Sequence, residues 1–261
     1  GCALHTIYYD KRDSYESLLL SADLKTGTEY WRSAKLDLLN SPCVNDSGDI
    51  FVSSFSGKVI SVDAEGNLRW EVQLAKCNLG AAVLTDNGHV IVAGIGGKGD
   101  KSWCLSQATG EIIWEFENGG HSSHLAANNG IIAHSSVQPR EPFAEPLSPK
   151  SVKLFAIEEQ SGQELWSVTS QEYLFTPYIL NEAVVIGGRG SIRAYDSKNG
   201  NLLARHDLAP DDAVNLSFSY HDGMFIFSAD DSTTLQAIRL DRKRKPILRP
   251  VLNGSLHRSR Y

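Results

Sequence analysis

Along the chain, apolar residues come in short runs that alternate with polar ones, the period-2 pattern of β-strands, and polar turns separate the runs. No segment sustains the 3.6-residue apolar period of a helix. Two phrases recur. One ends on tryptophan: SADLKTGTEYW (Ser21–Trp31), SVDAEGNLRW (Ser61–Trp70), CLSQATGEIIW (Cys104–Trp114) and AIEEQSGQELW (Ala156–Trp166). A fifth copy, AYDSKNGNLLA (Ala194–Ala204), has Ala204 in the tryptophan place, and a sixth, AIRLDRKRK (Ala237–Lys245), has lost the turn glycine.

The columns of this phrase predict a strand, a turn and a second strand. The first position is small in every copy, and a mostly larger apolar residue follows it. That order predicts a strand whose two faces meet different neighbours. Glycine near the end of the turn (Gly27, Gly66, Gly110, Gly162, Gly200) supplies the positive φ of a tight hairpin with a bulge. The other phrase is a polar turn entering a β-rich run: Asn45–Ser54, Thr85–Gly94, Ala127–Ser136, Leu180–Gly188 and Tyr220–Ser228. Its turn positions Gly48, Gly88, Gly130, Glu182 and Gly223 step by 40, 42, 52 and 41 residues. One more short strand precedes each.

Four short antiparallel strands in a unit of ~42 residues, repeated, predict a β-propeller of about six blades with strands A to D from the axis outward. The tryptophans then fill the widening gap between neighbouring sheets near the rim. The first copy begins at strand B (Thr6–Tyr9), and the last ends with strand D near Pro246–Val251. Leu256–Tyr261 are expected to dock as the missing A strand, closing a single domain of residues 1–261 through its terminal strands.

Composition narrows the function. Hydrophobic residues make up 41% of 261 and charged residues 21%, near the globular average. No apolar run reaches the ~18–20 residues of a membrane-spanning helix, and a net charge of −6 argues against nucleic acid as a partner. The four cysteines (Cys2, Cys43, Cys77, Cys104) form no CxxC, which excludes a zinc cluster on spacing and leaves the disulfide state of Cys43, Cys77 and Cys104 open. Gly1-Cys2 suits a lipoprotein cysteine, so Cys2 is a candidate lipid anchor, an arbitrary chain boundary being the alternative.

The phrase A-x-D-x-x-T-G-x-x-x-W resembles the blade motif of the pyrroloquinoline-quinone (PQQ)-type propeller repeat family. Ser106 and Glu158 depart at the Asp position, and Ser61–Trp70 is one residue short in the turn. The family includes quinoprotein dehydrogenases, sensor domains, and the propeller lipoprotein of the outer-membrane β-barrel assembly machinery. The dehydrogenases hold their cofactor against adjacent cysteines, a calcium site and an Asp base. No two cysteines are adjacent here, and no matching Glu/Asn/Asp set is found. The resemblance therefore implies a non-catalytic, monomeric interaction module without a cofactor, in the periplasm or cell envelope, with the cytoplasm as the alternative. A small-ligand or sugar sensor and a PQQ-dependent oxidoreductase stand as competing readings.

Partners are expected on the face formed by the B–C and D–A loops, because these vary where the A–B and C–D turns do not. The long insertion Val137–Ser151 carries four of the nine prolines and offers Arg140, Phe143 and Leu147 from a stiff arm. It is either a partner arm or a loop laid over the adjacent blade. In the loop NGGHSSH, His121 and His124 approach the axis with His134 nearby, though no third metal ligand has convincing spacing. Glu172, Tyr173, Asp211 and Asp212 complete the candidate contacts. Gly94–Lys101 reads as a flexible B–C hairpin and not a phosphate loop. Arg239–Pro250 holds six of the 25 basic residues, which fits an edge-strand guard better than a polyanion site.

Overall fold

The computed structural model describes residues 2–11, 14–34, 36–37, 39–76, 78–95, 101–137, 151–172, 174–180, 182–188, 190–208, 218–221, 224–228, 234–240 and 248–255. All regular elements among them are β-strands. They form six antiparallel sheets that follow the chain order. The first has three strands: β1 (Cys2–Lys11), β2 (Ser14–Asp23) and β3 (Glu29–Arg32). The second is β4 (Cys43–Val44), β5 (Ile50–Ser53), β6 (Lys58–Val62) and β7 (Leu68–Gln73). In the third, β8 (Asn78–Leu79) and β9 (Val83–Leu84) both pair β10 (His89–Ile95), followed by β11 (Lys101–Ser106) and β12 (Ile112–Glu117).

The fourth sheet is β13 (His121–Asn128), β14 (Ile131–Val137), β15 (Val152–Glu158) and β16 (Glu164–Ser170). The fifth is β17 (Leu174–Leu180), β18 (Ala183–Gly188), β19 (Ser191–Asp196) and β20 (Leu202–Asp207). The sixth is β21 (Phe218–His221), β22 (Met224–Ser228), β23 (Thr234–Leu240) and β24 (Leu248–Ser255). The last strand takes up Asn253–Ser255 beyond its expected end at Val251, because its register with β23 runs on to Thr234↔Ser255. Closure through Leu256–Tyr261 lies outside the described residues.

The chain groups into two compact units. Unit 1 holds Gly1–Ser123 with Gln160–Gly162, and unit 2 holds His124–Glu159 with Gln163–Tyr261. In unit 1, one apolar cluster joins Leu19, Leu39, Val52 and Ile60, and another joins Phe51, Val59, Val90 and Leu105. In unit 2, Leu154, Ala156, Trp166, Val184 and Ile186 form the largest cluster. The cores thus lie between successive sheets, and the small column (Ser21, Ser61, Cys104, Ala156, Ala194) is buried.

One irregularity recurs in all six sheets. The small residue of the next-to-last strand faces the tryptophan position of the last: Ser21↔Trp31, Ser61↔Trp70, Cys104↔Trp114, Ala156↔Trp166, Ala194↔Ala204 and Ala237↔Leu252. Immediately after it the register slips, leaving one extra residue (Tyr30, Arg69, Ile113, Leu165, Leu203 or Val251) before the tryptophan position. Such a bulge bends the edge strand and re-aims the side chain beside it.

Candidate functional site

Because the strands are antiparallel, each sheet has a turn side, with the A–B and C–D connections, and a loop side, with the B–C and D–A connections. Of the expected loop-side contacts, Arg140, Phe143, Leu147, Tyr173, Asp211 and Asp212 lie outside the described residues. His121 is not in a loop. It begins β13, which pairs with β14 and includes His124, the expected first residue of that short strand. His134 sits on β14, fully buried. Desolvation pushes its pKa down to about 3, so the ring is neutral at ordinary pH. Among the described residues, no group of three or more His, Cys, Asp or Glu side chains could hold a metal.

Glu172, in the connection after β16, is committed to its own unit. It forms an ion pair with Arg193 and accepts a hydrogen bond from the Ser191 hydroxyl at 3.1 Å. Arg205 approaches its other oxygen at 3.7 Å and donates to Asp207 at 2.6 Å. Arg193, whose side chain is only 11% exposed, also donates to Ser170 and Ser191. A guanidinium this buried needs such partners to offset the loss of water. The corner is therefore pre-organised, with Arg205 as its more exposed cation. In unit 1, strands are tied by similar ion pairs, Lys58 with Glu71 and Lys101 with Glu115, both at 2.7 Å.

The turn side spends its polar groups locally. Asp23, Asp63 and Asp196 each accept backbone N–H groups of their own turns, such as Thr26 N–H on Asp23 at 2.7 Å. The Thr26 amide, then the Tyr30 hydroxyl, hold the Asp23 carboxyl down to about 2. The tryptophan places its ring against the turn of the next sheet and donates its indole N–H to a carbonyl there. The bonds run from Trp31 to Ala64 (2.8 Å), Trp70 to Gln107 (3.0 Å) and Trp166 to Ser197 (2.8 Å). A Cβ added to Gly66, Gly110 or Gly200 would stand 2.7, 2.7 or 2.8 Å from that ring, and within unit 1 Gly162 meets Trp114 at 2.7 Å.

Between the turns of the second and third sheets, inside unit 1, lies an open cleft of about 410 Å³. Asn45, Asp49 and Arg69 line it from the second sheet, and His89, Gln107 and Ile113 from the third. Arg69 pairs with Asp49 at 2.5 Å through Nη1. The Gln107 amide donates to the Thr85 and His89 carbonyls and accepts from the Asn45 amide at 3.1 Å, so it clasps the two sheets together. The sequence singled out none of these side chains. Their one visible signal was that Asp49 and Arg69 replace residues that are apolar in most copies.

Comparison with known proteins settles the lineage. A family model described as "Outer membrane protein assembly factor BamB" matches residues 16–240. The chain belongs to this PQQ-type repeat family. Among curated proteins, none matches the chain in sequence. Among solved structures, BamB from Moraxella catarrhalis is 13% identical, with 97% of this chain and 92% of that one covered and a TM-score of 0.57. The Dos1 propeller (12% identity, 93% and 68% covered, TM-score 0.67) and the WD40 domain of Toxoplasma gondii coronin (10%, 97% and 68%, TM-score 0.72) superpose as well. At these identities the likeness is one of fold. The fold of this PQQ-type repeat chain is a β-propeller with antiparallel blades. For the quinone chemistry in the family's name, the described cysteines Cys2, Cys43 and Cys104 lie on β1, β4 and β11, in three different sheets.

Proposed function

We propose that this chain is a non-catalytic scaffold that binds a protein partner through its loop side, in the cell envelope, with Cys2 as a candidate lipid anchor. The observation that carries the reading is the asymmetry between the two ends of the sheets. Turn-side aspartates and indoles are consumed by the repeat itself, whereas the loop side gathers the length variation, the proline-rich arm and the pre-organised Glu172–Arg193–Arg205 corner. A rigid scaffold carrying variable loops is the usual arrangement of a binding platform. Membership in a family described as an outer-membrane assembly factor supports a protein as the ligand. The scaffold acts as one domain over residues 1–261 and works as a monomer, with Arg140, Phe143, Leu147, His121, His124, Tyr173, Asp211 and Asp212 as further contacts.

The test is cross-linked capture with the intact chain, the chain lacking 137–151, and Arg205→Glu. Capture that falls at least tenfold for both variants supports the loop side, whereas full retention by both rejects it. Incubation with PQQ and calcium is expected to give neither quinone absorbance nor dye-linked alcohol oxidation. Either signal would restore the enzyme reading.

A further inference from the structure

We infer that the cleft between the turns of the second and third sheets is a second binding site, one that takes a carboxylate-bearing peptide segment with an aliphatic side chain beside the acid. The site lies on the turn side and stands whether or not the loop-side reading holds.

The repeat provides its own control. The bulge residue before the tryptophan position is Tyr30, Ile113, Leu165, Leu203 or Val251 in five copies and Arg69 in one. The residue after the A–B turn position is Ile131, Ala183 or Met224 in three later copies and Asp49 in the second. Packing of a blade therefore demands neither charge. Both occur in the same copy, they meet at 2.5 Å, and they line one cleft.

The chemistry follows from what remains open. Asn45 and Gln107 are occupied by one another and by backbone groups, so they form a fixed polar floor. Arg69 reaches Asp49 through Nη1, which orients the guanidinium, and among the described residues no hydrogen bond engages its Nε or Nη2. Its side chain is 31% exposed. A held guanidinium offers a ligand carboxylate two parallel N–H donors. Across the cleft, Ile113 is 43% exposed, a large apolar side chain suited to an aliphatic neighbour of that acid. The volume accommodates about two or three residues, within the range of small-ligand sites. Backing the floor, the Trp70 indole N–H bonds the Gln107 carbonyl, which makes that proton a reporter.

The experiment is an amide and indole NMR titration of the full chain with terminally blocked Glu-Leu, using Gln-Leu and Lys-Leu as controls. The expected result is a saturable shift of the Trp70 indole and Gln107 signals with Glu-Leu, at least tenfold weaker with both controls. Arg69→Tyr places the residue of the first copy in the second, so the blade keeps a side chain its architecture already carries, and Arg69→Lys keeps the charge without the fork. Both variants should retain the wild-type dispersion and lose Glu-Leu binding at least tenfold. Equal response to Gln-Leu, unchanged binding in Arg69→Tyr, or shifts confined to other seams would each overturn the site.

Discussion

The C–D turns contain the same glycine five times, yet two different constraints act on it. Gly27 (φ +70°) has open space where a Cβ would be, nothing described lying within 4 Å. Gly66, Gly110, Gly162 and Gly200 have similar φ of +72° to +88° and an indole where the Cβ would be. In the first turn, among the described residues, glycine answers to the backbone alone, since a left-handed L-residue is disfavoured. In the other four it also makes room for the preceding sheet's tryptophan. Turn and wedge are thus one device split between neighbouring repeats. The fifth and sixth copies show the converse: Ala204 removes the indole, and the next copy's turn has no glycine. Both halves are missing together.

The comparison can be broken at its larger half first. Trp166→Ala, which empties a buried cluster, is expected to cost about 3–5 kcal/mol in urea unfolding. Gly110→Ala should cost about 2–5 kcal/mol, combining a left-handed backbone with overpacking against Trp70. Gly27→Ala should cost only about 1–2 kcal/mol, from the backbone alone. Equal losses at the two glycines would refute the shared device. A double-mutant cycle sharpens this: in Trp70→Ala, the cost of Gly110→Ala should fall to that of Gly27→Ala, a coupling of about 1–3 kcal/mol. Simple additivity would show that ring and turn are independent.

A separate effect is on pH. The pKa of His134 is lowered in the fold to about 3 from 6.5, so the unfolded chain binds the extra proton over that window. Its contribution to stability is full above pH 6.5 and is lost as pH falls towards 3. Asp23, lowered to about 2 from 3.8, acts in the same direction lower down, its contribution disappearing as pH falls through about 2. Urea midpoints measured from pH 7 to 3 should decline, and His134→Leu should flatten the upper part of that slope.

Much of the fold was legible because the repeat is written at short range. The small residue, the turn glycine and the tryptophan each answer to local strand and turn geometry, and their recurrence exposes the blades even where one member is lost. The strand limits were less legible. His121–Ser123 read as loop because their polar composition hides a strand whose pairing comes from β14.

The candidate sites divide in the same way. Loop length and proline content pointed to the loop side from sequence alone. The fate of Glu172 depended on Arg193 and Arg205, which lie 21 and 33 positions away and meet it only when the fifth sheet forms. Asp49, Arg69 and Gln107 come from separate turns and strands, so no local spacing could announce their cleft. The chain itself therefore determined its strands, its turns and its repeating wedge, since those depend on neighbours in sequence. The tertiary structure decided which charges are spent on holding sheets and which stay open to a ligand, because that depends on distances across seams between blades.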